Sequence, residues 1–173
     1  MAEGSARDEL ATPRVVEVEG RVADAQARRA LDASFDLRRA VFVDEQGIAA
    51  ALEWDGHDAT SRHFVALAPV PLSSEAPGGT ARAYAIGTAR MRRIAGQARA
   101  ERVAVRRAAR RLGVGRLLMR ALEARARLEG LEAVILHAQV EAVPFYTSLG
   151  YAVRGEPFVE AGIDHRDMVL RLA

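Results

Sequence analysis

The sequence predicts an α+β fold on a mixed, mostly antiparallel sheet of about six to seven strands with about four helices. Three observations carry this. Short strand-like runs dominate the first two thirds of the chain, a strand-helix-strand unit follows, and half of the 173 residues are hydrophobic. A chain of this length buries roughly 70% of its extended surface, so one sizeable core is within reach.

The elements follow in order. Met1–Pro13 is polar and reads as a loose tail before a domain over 14–173. Arg14–Val18 alternates as a first strand. Asp24 caps a helix that carries Ala27, Leu31, Phe35 and Val41 toward a stop at Gly47. Ile48–Ser61 has no clean period and reads as a loop or short helical turn holding Glu53, Trp54, Asp55, His57 and Asp58. His63–Ala68, Ala83–Met91 and Arg99–Val105 are expected to form an antiparallel meander, with Pro69–Thr80 as the longest loop. After Gly113 a helix runs to Gly130 with Leu117, Leu118, Ala121, Leu122 and Leu128 on one face. Ala133–Leu136 is a buried strand, Glu141–Leu149 a short helix, and Tyr151–Arg154 and Met168–Leu172 are strands.

Composition narrows the function. The chain has no cysteine, which removes disulfides, thiolate zinc sites and cysteine nucleophiles together. No apolar run nears the ~20 residues a spanning helix needs, and the N-terminus lacks a basic start with an apolar stretch, so a cytoplasmic protein without a membrane is expected. All 25 basic residues are arginine, against 23 acidic ones. Arg90, Arg92, Arg93, Arg99, Arg102, Arg106, Arg107, Arg110, Arg111 and Arg116 crowd one segment, so a polyanion is expected there: a cofactor's phosphates or a nucleic acid.

Within that segment ERVAVRRAARRLGVGRLLM joins a strand, a turn with Arg110-x-x-Gly113-x-Gly115, and a helix. A glycine turn at a helix N-terminus suits an anion, because unpaired N–H groups point outward, the dipole is positive and the backbone is accessible. The Gly-Lys-Ser/Thr of a Walker A loop and the third glycine of a dinucleotide fingerprint are both missing. Two glycines easing a strand-to-helix turn would look the same.

LHAQVEAVPFYTSLGY adds a strand end at Ala138 and Gln139, a helix with Phe145 and Tyr146, and a Leu149-Gly150-Tyr151 turn. Together the two segments resemble the GNAT N-acetyltransferases. In that family the R/Q-x-x-G-x-G/A turn binds the coenzyme A pyrophosphate and a later FY-x-x-x-G-F/Y helix lies beside the thioester. AVFVDEQG, WDGHD, Arg62-His63, GTARM, RVAV, HAQ and GIDHRDM resemble the ElaA-like subgroup, over roughly Leu37–Met168. Arg111 stands where many members have glycine, and Asp164 where proline precedes the terminal histidine.

The resemblance implies a V-shaped sheet splayed between its fourth and fifth strands, and acetyl-CoA as donor with CoA as product. The implied activity is acetyl transfer to a primary amine by direct attack in a ternary complex. Val103, Ala104, Val105, Arg110, Arg111, Leu112, Gly113, Val114, Gly115, Arg116, Gln139, Phe145 and Tyr146 would bind the cofactor. The N–H of Val103 would polarise the thioester carbonyl, and Tyr146 would protonate the leaving thiolate. Glu45, Glu101 and His165 are candidate bases. Glu101 shares strand parity with Val103, which would turn it toward the acceptor. Glu45, Asp55, Asp58 and His63 would line an acidic wall that attracts a cationic amine, a small molecule or a protein amine.

Two other readings compete: an arginine-rich nucleic-acid-binding module, and a CoA-binding protein without turnover. The first is disfavoured by few aromatics near the arginines and by the lack of an RNP or helix-turn-helix signature, so no nucleic acid is expected as partner. No metal is expected, since His57, His63, Asp55 and Asp58 match no standard ligand spacing, and no GxSxG elbow signals a serine hydrolase. A homodimer is left open.

Overall fold

The computed structural model describes residues 13–68 and 84–173. Most of the expected tail and the Pro69–Thr80 loop lie outside them. Among the described residues there are seven strands: β1 (Arg14–Glu19), β2 (Arg62–Ala68), β3 (Tyr84–Ile94), β4 (Gln97–Val105), β5 (Ala133–Gln139), β6 (Ala152–Glu160) and β7 (Ile163–Arg171). They form one sheet in the order β1-β2-β3-β4-β5-β7-β6. The helices are α1 (Ala25–Arg38), α2 (Ala50–Glu53), α3 (Val114–Leu128) and α4 (Val143–Thr147). Among the described residues no helix is long and apolar enough to cross a membrane.

All neighbours are antiparallel except β4 and β5, which are joined through α3 and run parallel. That junction is short. Only Ala98↔Val134 and Arg99↔Ile135 pair, and from Ala100 onward the two strands part. The expected splay is therefore present, and among the described residues no strand pairs with the β5-facing edge of β4 beyond Arg99.

Apolar clusters cover both faces. On one, Val114, Leu118, Met119, Leu122 and Ala126 of α3 pack on Phe64, Ala66, Met91, Ala98, Ala100, Val134, Leu136 and Met168. On the other, Leu37, Val41 and Phe42 pack on Val65, Leu67, Ala85 and Ala104. Gly87 lets α3 approach: a Cβ there would stand 2.7 Å from Val114 Cγ1 and 2.9 Å from Leu118 Cδ1.

Several boundaries differ from the sequence expectation. Asp24 caps α1 as expected, accepting from the Ala27 N–H at 2.6 Å, but α1 ends at Arg38 and a π-helical turn over Arg39–Glu45 completes the run. The helix α3 ends at Leu128, and its buried face is Val114/Leu118/Met119/Leu122/Ala126. Leu117 is exposed and Leu128 is 78% exposed. The helix α4 is shorter than expected, because a 3-10 turn takes Val140–Ala142. The strands β3 and β4 run closer together, through a turn at Ala95 and Gly96, both with positive φ. β6 and β7 form a long hairpin closed at Ala161-Gly162 rather than two short strands, and Tyr151 precedes β6. Strand length in these hairpins is set by backbone pairing, which leaves little mark on exposed sequence.

Replacing Gly87 with valine should overpack α3 against β3 and cost about 1–3 kcal/mol, read by chemical denaturation. Unchanged stability would mean that α3 does not sit this close.

Candidate active site

The parting of β4 and β5 opens a cleft of about 310 Å³. One flank is Ala100–Val103 of β4, the other Leu136–Gln139 of β5. Phe42, Gln46, Ile48, Leu52 and Glu53 close one side, Tyr146 lies on the α4 side, and Glu160, Ile163 and His165 come from the β6–β7 hairpin. Register fixes which side chains share a face: His137 opposes Asp167, Gln139 opposes His165, and His165 opposes Phe158. Opposed residues project to the same side, so His137, Gln139, Phe158, His165 and Glu160 share the face away from Leu136 and Met168.

The expected parity of β4 is broken. Thr88↔Ala104 and Arg90↔Glu101 differ by one in register, so β4 carries an extra residue, and Arg102 has φ 53°. This bulge puts Ala104, not Val103, on the side of Glu101: Ala104 packs with Leu37 and Val41, and Val103 with the α3 core. The extended pattern RVAV carries no glycine to announce it.

At the head of α3, Gly113 is the N-terminal cap with φ 81°, and no atom lies within 4 Å of where its Cβ would be. Arg111 has φ 66°, in the left-handed region that favours glycine. Gly115 serves packing as well: its Cβ would meet the Phe145 ring at 3.1 Å. The first N–H groups of the helix have no helical partner. Arg107, Arg111, Leu112 and Arg116 are exposed around the turn. Arg110 is already paired, donating to both Glu45 oxygens at 2.6 and 2.8 Å and to the Val105 carbonyl at 3.1 Å. The open glycine cap, the exposed cations and the unpaired β4 edge fit a long ligand with a pyrophosphate at one end.

Most of the expected acidic wall is engaged elsewhere. Arg38 and Arg90, both fully buried, hold four carboxylates together. Arg38 donates to Glu53 at 2.5 Å and Asp58 at 2.6 Å. Arg90 donates to Asp55 at 2.5 Å, Asp58 at 2.9 Å and Glu101 at 2.7 Å. Arg92 and Arg99 add to Glu101, and Arg102 reaches Glu53 at 2.7 Å and Asp55 at 3.2 Å. Arg38 also lies between Phe35 and Trp54, 5.3 and 4.8 Å from the ring centres.

These pairings reset the candidates. Hydrogen bonds from Arg90 hold the Asp55 carboxyl well below the usual range. Burial raises Asp58 and Glu101, but their arginines outweigh it and both end low. Glu45 is lowered by Arg110. Burial pushes Glu53 up despite Arg38 and Arg102. Asp55, Asp58, Glu45 and Glu101 are thus ion-pair partners rather than free carboxylates. His63 is buried, its Nε2–H donates to the Asp58 carbonyl at 2.9 Å, and burial lowers its pKa, so it does not line the cleft.

Five expected residues line the cleft: Glu101 and Val103 on the β4 flank, with Gln139, Tyr146 and His165 around the rest. Tyr146 is buried, and burial alone raises its pKa, which keeps the phenol protonated. The Nδ1 of His165 lies 2.8 Å from the Ile163 carbonyl, which can only accept; Nδ1 therefore carries the proton and Nε2 is bare in the neutral ring. Gln139 donates to Gln46 at 3.0 Å. Phe145 packs on Tyr146, edge to face. The arginines that the sequence bunches do not form one basic face, since Arg90, Arg92, Arg99 and Arg102 are tied to carboxylates and Arg106 donates to the Ala85 carbonyl over the Tyr84 ring.

Sequence reading missed Arg38, His137 and Glu160, and it placed Arg90 and Glu53 in a polyanion site and a cation-attracting loop rather than in one buried ion-pair network. A signal existed for two. Arg38 falls on the Leu31/Ser34 stripe of α1, and Arg90 on an inward position of β3; both are polar where the period demands burial.

An acetyltransferase (GNAT) domain model matches residues 80–172. A Bacillus subtilis protein named as an acetyltransferase is 33% identical over 139 residues, 78% of this chain and 85% of its own. A solved N-acetyltransferase from Lactobacillus plantarum superposes with TM-score 0.74 at 28% identity, covering 94% of this chain and 99% of that one. Escherichia coli ElaA shares the fold, with TM-score 0.71 at 24% identity over 91% of this chain and 99% of its own. The chain belongs to the GNAT family. It is an N-acetyltransferase of that family, a class that uses acyl-CoA donors.

Replacing Arg90 with methionine leaves Asp55, Asp58 and Glu101 without their shared cation and should cost about 3–5 kcal/mol in denaturant unfolding at pH 7. A carboxylate with lowered folded pKa stabilises above its unfolded value near 3.9 and loses that contribution as pH falls. The wild type should therefore lose stability steeply below about pH 4, and Arg90→Met should lose less. Parallel acid limbs would contradict this.

Proposed function

We propose that the protein transfers an acetyl group from acetyl-CoA to a primary amine by direct attack in a ternary complex. The observation that carries this is the cleft where β4 leaves β5, with a bare strand edge on one flank and Tyr146 and His165 on its walls. When bound, acetyl-CoA supplies a thioester whose carbonyl carbon takes the amine, so a C–N bond forms, the C–S bond breaks and CoA leaves as the thiol.

The chain's part is positioning and proton transfer. The backbone of Val103–Val105 would hold the pantetheine arm as an added strand, the Val103 N–H donating to the acyl oxygen. The turn Arg110–Arg116 would take the pyrophosphate, with Arg107, Arg111 and Arg116, which meet no carboxylate among the described residues, as its cations, since Arg110 is held by Glu45. Tyr146 is the proton donor to the leaving sulfur, because burial keeps it protonated beside the β4 flank. His165 accepts the amine's proton at Nε2. Glu45 and Glu101 are not assigned as bases, because arginines occupy their oxygens.

A screen of amines read by CoA release tests the activity. Acetyl-CoA and CoA at a hundred times their dissociation constants should each add about 2.7 kcal/mol of stability, and Gly113→Val should remove it. A melting temperature unmoved by millimolar CoA would refute the cofactor assignment. Tyr146→Phe should keep CoA affinity and lower turnover on the order of a hundredfold. His165→Ala should lower turnover and alter its pH profile, and an unchanged profile would move the base elsewhere.

A further inference from the structure

Glu160 is a carboxylate lining the cleft that no arginine holds among the described residues. Of the other two lining carboxylates, Glu53 is buried and Glu101 half-buried, and both are paired with arginines through both oxygens. The Glu160 side chain is 52% exposed and sits at the last position of β6, beside the Ala161-Gly162 turn, on the face shared with Phe158 and His165. Its one described partner is His137, whose Nδ1 lies 3.2 Å from Oε2. A carboxylate only accepts, so that nitrogen carries the proton, and Oε1 is left without a described partner.

The opposing charge is spent. Arg99 gives Nε to Glu101 at 3.1 Å, and its Nη2 lies 3.0 and 3.1 Å from the two His137 nitrogens. Equal reach to both nitrogens puts it over the ring rather than in line with either lone pair. The His137 ring also meets Phe158 edge to face at 4.8 Å. Glu160 is thereby braced through His137 and keeps its own charge toward the cleft.

Depth decides which part of a ligand it meets. The reacting nitrogen must reach the buried end, near Tyr146 and the β4 flank, whereas Glu160 is at the open rim. We infer that Glu160 binds a second, cationic group on the acceptor, so that the preferred acceptors are diamines or amines bearing another positive charge. This rests on the acetyl-transfer reading for the identity of the reacting end, but the charge preference itself does not require turnover.

The test uses the full chain saturated with CoA and three probes of similar length: 1,4-diaminobutane, butylamine and 4-aminobutyrate. Calorimetric binding is measured alongside CoA release from acetyl-CoA. The diamine should bind at least about tenfold tighter than either other probe, and Glu160→Gln should remove that preference. Where CoA is released, the loss should fall on KM, with kcat within about twofold. Equal binding of diamine and butylamine, or tighter binding of 4-aminobutyrate through Arg99, would overturn the inference whether or not CoA is released. A diamine preference that needs Glu160 but yields no CoA from any probe would uphold the inference and overturn the proposed reaction.

Discussion

The site depends on a parallel strand pair that is abandoned after two residues. Parallel strands joined by a helix normally pair along their length, since an unpaired backbone edge inside a protein must find other partners. Here β4 and β5 pair only at Ala98 and Arg99 and then separate, each secured on its far side by antiparallel neighbours. The separation leaves donors and acceptors facing a cleft, and the apolar cores on either side keep the edge from closing. A ligand with amide groups along a chain suits such an edge.

The buried arginine network steadies one side of that opening. Arg38 from α1 and Arg90 from β3 reach Glu53 at the end of α2, Asp55 and Asp58 between α2 and β2, and Glu101 just before the bulge. Arg102, at the bulge itself, reaches back to Glu53 and Asp55. One set of charges thus ties the α2 segment, β3 and the bent part of β4 together. Desolvation makes such a network a weak source of net stability but a strong source of geometry: alternative arrangements leave a charge buried and unpaired.

The sequence made the strand order of the first half, α3 and the glycine turn at its head legible, because hydrophobic period and glycine position report them directly. The family resemblance added Tyr146, Gln139 and the splay, which no local pattern encodes. Acidic residues near Asp55 and Asp58 look like a cation-attracting wall when read along the chain. Their arginine partners lie 20 to 47 positions away along the chain, contacts that only the fold supplies, as with Arg38–Asp58 and Arg102–Asp55. Parity failed at Glu101 for a similar reason, since a bulge at a non-glycine residue is invisible until the register is known. His137 and Glu160 come together only because β5 and the β6–β7 hairpin share one sheet.

The central claim is that the bare edge of β4 is where the cofactor lies. Amide hydrogen exchange of the full chain, with and without saturating CoA, tests it most directly. The account predicts new protection over Ala100–Val105 and at the first N–H groups of α3, with little change in β1 and β2. Protection confined to other segments, with Ala100–Val105 exchanging as before, would contradict it.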